Sequence, residues 1–72
     1  MIQQGTQVQW NWGKGTAQGK VEETFTNTIT KTIKGSEVTR SGTQDNKALF
    51  IRQEDGDYVL KSESEVERID KT

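Results

Sequence analysis

"VQWNWGKGTAQGKV", residues 8–21, is the stretch whose reading decides the fold. Val8, Trp10 and Trp12 alternate with Gln9 and Asn11, the period-two pattern of a strand with one buried face. The "GKG" at 13–15 reads as a turn. Ala17, Gly19, Val21 and Phe25 then share one face of the returning strand. Gly19 inside that strand marks a bend or a close approach, for which a tryptophan side chain is the expected neighbour. The stretch is an antiparallel hairpin, and it holds both tryptophans of the chain.

Working outward, residues 24–32 place threonine at every even position, and this β-branched content favours extended chain. A turn at Gly35-Ser36 would pair Ile33 with Val38, Thr32 with Thr39 and Lys31 with Arg40. After the polar segment "SGTQDN", the run "KALFIRQEDGDYVLK" predicts a further hairpin about Asp55-Gly56, with Ile51 opposite Leu60 and Gln53 opposite Tyr58. Phe50 and Val59 then lie on the face opposite Leu49, Ile51 and Leu60, where Val66 and Ile69 are expected to cover them. Residues 62–65 read as a short turn. The sum is five to seven short strands with no substantial helix. A small, strongly bent all-β barrel is the expected architecture, because closure removes exposed edges.

Composition agrees with one small domain. The 72 residues, net charge −1, include fourteen Ile, Val, Leu and Phe, few for a core but arranged in alternation. The whole chain, 1–72, reads as a single domain, with the barrel over 5–69 and the ends 1–4 and 70–72 flexible. Residues 1–40 carry five basic and three acidic groups and residues 41–72 five and eight, too even a balance to imply a nucleic-acid partner from bulk charge. Neither a signal peptide nor a bilayer-length apolar run is legible, so a soluble cytoplasmic protein is expected.

The chain has no histidine and no cysteine, which removes the usual general bases, activated nucleophiles and zinc ligands. An enzyme is therefore not expected, nor a cofactor. "GKGT" does not make a phosphate loop, since Lys14 is followed by Gly15 and a strand where that motif needs Ser or Thr and a helix. Glu54, Asp55 and Asp57 lack calcium-loop spacing, so no metal site is assigned.

"GTQVQWNWGKGTAQGKV", "TIKGSEVTRSGTQDNKA" and "EDGDYVLKSESEVE" resemble, in order and spacing, three blocks of the hypervirulence-associated protein Tudor domain family. Lys47 stands where relatives often have a proline, and "SESEV" where they have a Ser-Glu-Leu run. The resemblance covers residues 5–67 and implies an SH3-like, Tudor-like barrel without implying an activity. Tudor-like barrels that take methylated lysine or arginine do so with aromatic rings and acidic groups near strand-connecting loops. The residues here that fit are Trp12 beside the "GKG" turn and Tyr58 beside the Asp55-Gly56 turn, with Asp55 and Asp57 as carboxylates. Phe25 is a candidate third wall, although Phe25 and Trp10 are assigned mainly to the core.

Two other classes stay open. A nucleic-acid binder would use Lys31 and Arg40, facing each other in the expected register, with Lys14 and Lys20 extending the patch. A purely structural protein would instead use the barrel as a unit of an assembly, with a protein partner or a second copy. The oligomeric state is not legible.

Overall fold

The computed structural model describes residues 2–69. Seven strands follow one another: β1 (Gln7–Trp12), β2 (Gly15–Phe25), β3 (Thr28–Ile33), β4 (Ser36–Ser41), β5 (Ala48–Gln53), β6 (Tyr58–Ser62) and β7 (Glu67–Arg68), with a 3-10 turn at Glu63–Glu65 before the last. An antiparallel five-stranded sheet runs β6-β5-β2-β1-β7, and β3 pairs with β4 in a second sheet. The all-β expectation holds.

The two sheets are halves of one long hairpin folded over at a corner. β2 passes into β3 through Thr26 and Asn27 alone, while β4 returns to β5 through residues 42–47. At the corner the Gly42 N–H donates to the Asn27 carbonyl at 3.0 Å. A Cβ on Gly42 would run into the Phe25 carbonyl oxygen and lie 2.9 Å from that of Asn27, so only glycine lets the two arms approach this closely. The longer arm is tied down by the 3-10 turn: Lys47 N–H donates to Glu63 Oε1 at 2.8 Å and Ser64 N–H to Asn46 Oδ1 at 3.0 Å.

The core is Ile2, Val8, Trp10, Val21, Leu49 and Ile51, with Ala17, Val59 and Val66 packed against it. Fully burying side chains such as Leu49 and Ile51 stabilises by about 1.5–3 kcal/mol each. Trp10 is 5% exposed and Trp12 74%. The two indoles share a strand face by alternation, but Trp12 overruns the core at the end of β1.

Several expectations are corrected. At the N-terminal end, which lies before the expected start of the barrel, Ile2 packs into the core, Gly5 N–H donates to the Val21 carbonyl at 2.8 Å and Val21 N–H to that of Thr6 at 2.9 Å. Met1 and residues 70–72 lie outside the described residues. Gly19 is packed against Ile51 Cγ2 and the Arg52 carbonyl oxygen, each 2.6 Å from where a Cβ would sit, so its nearest neighbours are these and not a tryptophan. A β-bulge between Val21 and Glu23 shifts the pairing, so that Val21 faces Ile51 but Phe25 faces Ala48. The extra residue turns Phe25 to the sheet face opposite Val21.

Both later turns differ from expectation, the first by its position and the second by its length. The β3–β4 turn is Lys34-Gly35, both at positive φ (52° and 80°), so Lys31 faces Val38 and Arg40 faces Ile29. The β5–β6 loop has three residues, Glu54, Asp55 and Gly56: Gly56 N–H donates to the Gln53 carbonyl at 3.0 Å and Gln53 N–H to that of Asp57 at 2.7 Å. Ile51 therefore faces Val59, and Phe50 faces Leu60. A one-residue slip exchanges the faces of a strand, so Val59 joins the core and Leu60 takes the other side.

Candidate functional site

The alternation of β1 carries Trp12 past the last core residue, and its pairing with Gly15 leaves no side chain opposite it. The exposed indole borders a groove of about 290 Å³ lined by Trp12, Ala17, Lys34, Gln53, Asp55 and Asp57. Three loops converge here: the β1–β2 turn, the β3–β4 turn and the β5–β6 loop. The groove exists because the long hairpin folds back, which brings Lys34 beside the tip of the next hairpin.

Its electrostatics are set by that contact. Lys34 Nζ lies 2.8 Å from Asp57 Oδ2. The hydrogen bond that Lys34 donates to Asp57, with the charges of Asp57 and Asp55, raises the Lys34 pKa above its ordinary value. Asp55 Oδ1 accepts the Asp57 N–H at 3.0 Å, which orders the loop tip around the two carboxylates. Lys34 itself holds a φ of 52°, a region side-chain-bearing residues seldom adopt.

Of the residues expected at this site, Trp12, Asp55 and Asp57 are brought together, and Tyr58 is not. Tyr58 stands opposite Arg52, one residue out of phase with the core positions, and stacks on Phe50 with centroids 4.7 Å apart and rings 4° from parallel. Lys31 Nζ lies 5.0 Å from the Phe50 ring centre and 5.5 Å from that of Phe25. Phe25, Phe50 and Tyr58 thus belong to an aromatic cluster that already holds a cation, and Phe25 walls nothing beside Trp12. Lys34 and Gln53 were not legible as lining residues. No local signal marks either, because both reach the groove through the fold-over of the hairpin.

The basic residues are dispersed. Lys14 is exposed in the β1–β2 turn and Lys20 is exposed on β2 opposite Arg52. Lys31 and Arg40 share a face of β3–β4 without standing opposite each other. Arg40 donates to Glu65 through Nε at 2.7 Å and Nη2 at 3.3 Å. That bond raises the Arg40 pKa and lowers the Glu65 pKa, partly against the burial of each; the Ser62 N–H, 2.9 Å from Glu65 Oε1, lowers Glu65 further. Among the described residues no group of acidic side chains is placed to hold a metal ion. No helix among them is long and apolar enough to cross a membrane.

In comparison with known families, the sequence model for the hypervirulence associated proteins TUDOR domain matches residues 5–66. The chain belongs to this family, and its strands form the small all-β, SH3-like barrel that membership implies. No curated protein and no solved structure compared with the chain matches it.

Proposed function

We propose that this Tudor-family barrel is a non-enzymatic binding module, taking a cationic side chain such as a methylated lysine or arginine in the groove between Trp12 and the carboxylates of Asp55 and Asp57. The observation that carries this reading is Lys34: the chain's own ammonium group sits on Asp57 in the groove beside the exposed indole. An exposed indole face attracts a cation, and a neighbouring carboxylate adds to the attraction. The sequence offers no histidine or cysteine for catalysis, which favours binding over chemistry.

The nucleic-acid reading built on Lys31 and Arg40 is weaker, because Lys31 lies over the aromatic rings and Arg40 is held by Glu65. The test is an NMR titration with a short peptide carrying one trimethyl-lysine, following the two indole N–H signals. The Trp12 signal is expected to move saturably, together with amides of Asp55 and Asp57, while Trp10 stays in place. If both indoles are still at millimolar peptide, the reading is wrong.

A further inference from the structure

The sheet face turned away from the core carries Gln7, Lys20, Arg52 and Tyr58 in one line. Gln7 stands opposite Lys20, Lys20 opposite Arg52, and Arg52 opposite Tyr58. Residues directly opposite on antiparallel strands share a face, and each of these neighbours an inward position such as Val8, Val21, Ile51 or Val59. The row therefore crosses four strands of the sheet, about 10 Å from Lys20 to Tyr58 at the usual strand spacing.

Lys20 and Arg52 are exposed like charges directly opposite each other, an arrangement that destabilises a sheet. Three other cations are compensated, Lys34 by Asp57, Arg40 by Glu65 and Lys31 by two rings, whereas Lys20 and Arg52 differ from the remaining cations in standing directly opposite each other. Among the described residues, neither Lys20 nor Arg52 makes an ion pair or a side-chain hydrogen bond. A groove of about 270 Å³ runs beside them, lined by Gln7, Gly19, Lys20, Arg52, Gln53 and Glu54.

We propose that this row binds single-stranded nucleic acid, with Lys20 and Arg52 each contacting a backbone phosphate and a base stacking on the face of the Tyr58 ring that is turned away from Phe50. Two cations on neighbouring strands with an aromatic ring next in line suit an extended chain that alternates charge and planar base. Glu54 in the groove and the overall charge of −1 keep the attraction local to the row. The site lies apart from the Trp12 groove, shares only Gln53 with it, and stands or falls separately.

The test is an amide NMR titration with a twelve-nucleotide oligo-dT at low salt, repeated across a salt series. Saturable shifts are expected at Lys20, Arg52 and Tyr58. Two phosphate contacts on a single strand give a slope of log K against log salt of about −1.4, and Arg52→Gln or Lys20→Gln halves it to about −0.7. Without ligand, either substitution also raises the melting temperature by about 1–4 °C by removing the like-charge pair. The proposal is overturned if the three amides do not shift saturably, if inorganic phosphate or anionic vesicles move them as far as the oligonucleotide does, or if both variants keep the wild-type slope. A fall in melting temperature in both variants would likewise show that the pair needs no anion.

Discussion

Replacing each tryptophan by alanine separates the indole that holds the barrel together from the one that borders the groove. Trp10 is 5% exposed and sits among Val8, Val21, Leu49 and Ile51. Truncating such a residue typically costs about 3–5 kcal/mol, of which area burial near 25 cal/mol per Å² accounts for the larger part. A chain of this size has a total stability of about 4–11 kcal/mol, so Trp10→Ala removes about a quarter of it at the least and in the marginal case all of it. Trp12 is 74% exposed, so only about a quarter of its surface is at stake and Trp12→Ala costs about 1 kcal/mol or less. Urea unfolding followed by far-ultraviolet circular dichroism reads both losses without depending on indole fluorescence. Equal losses for the two variants would refute the division of labour between them, as would a Trp12→Ala protein that fails to fold.

The corner makes a second prediction: Gly42→Ala forces a methyl group into three backbone atoms and destabilises by about 3 kcal/mol or more, whereas Gly15→Ala meets nothing within 4 Å and is neutral or slightly stabilising. Thermal melts of the two variants give the sign of each change. A third concerns acid. The Glu65 carboxyl is held below its unfolded value of 4.5, so its contribution is fully present above that pH and is lost as pH falls through the lowered folded value. Because the pair is about a third exposed, the effect is about 1 kcal/mol or less, and Glu65→Gln should flatten this part of the stability profile between pH 5 and pH 2, a range set by the unfolded carboxylate pKa.

Strand content and the order of the hairpins are legible because they depend on alternation and on turn residues, both local; the exposure of Trp12 is not, because alternation puts both indoles on one face. Register is not legible either. A two-residue loop on Asp55-Gly56 and a three-residue loop ending on Gly56 are spelled alike, yet they exchange Val59 and Leu60 between faces. Lysine at positive φ is uncommon, so the sequence favours a turn at Gly35-Ser36, and that single step sets Lys31 against Arg40 where the fold sets it against Val38. The bulge after Val21 leaves no mark on the alternation, which by itself assigns Phe25 to the core face. The groove depends on all three features at once. Its acidic and aromatic members could be named from their nearness to turns, but Lys34 and the displacement of Tyr58 follow only from how the long hairpin folds back.

If Lys34 occupies the place of a ligand cation, removing its charge must open that place. The direct measurement is the affinity of the trimethyl-lysine peptide for the wild-type chain and for Lys34→Gln, read from the Trp12 indole N–H signal under identical salt. The account predicts saturable binding in both, a few-fold tighter in the variant because Asp57 is no longer engaged. Weaker binding in the variant, or an indole that moves in neither protein, would contradict it.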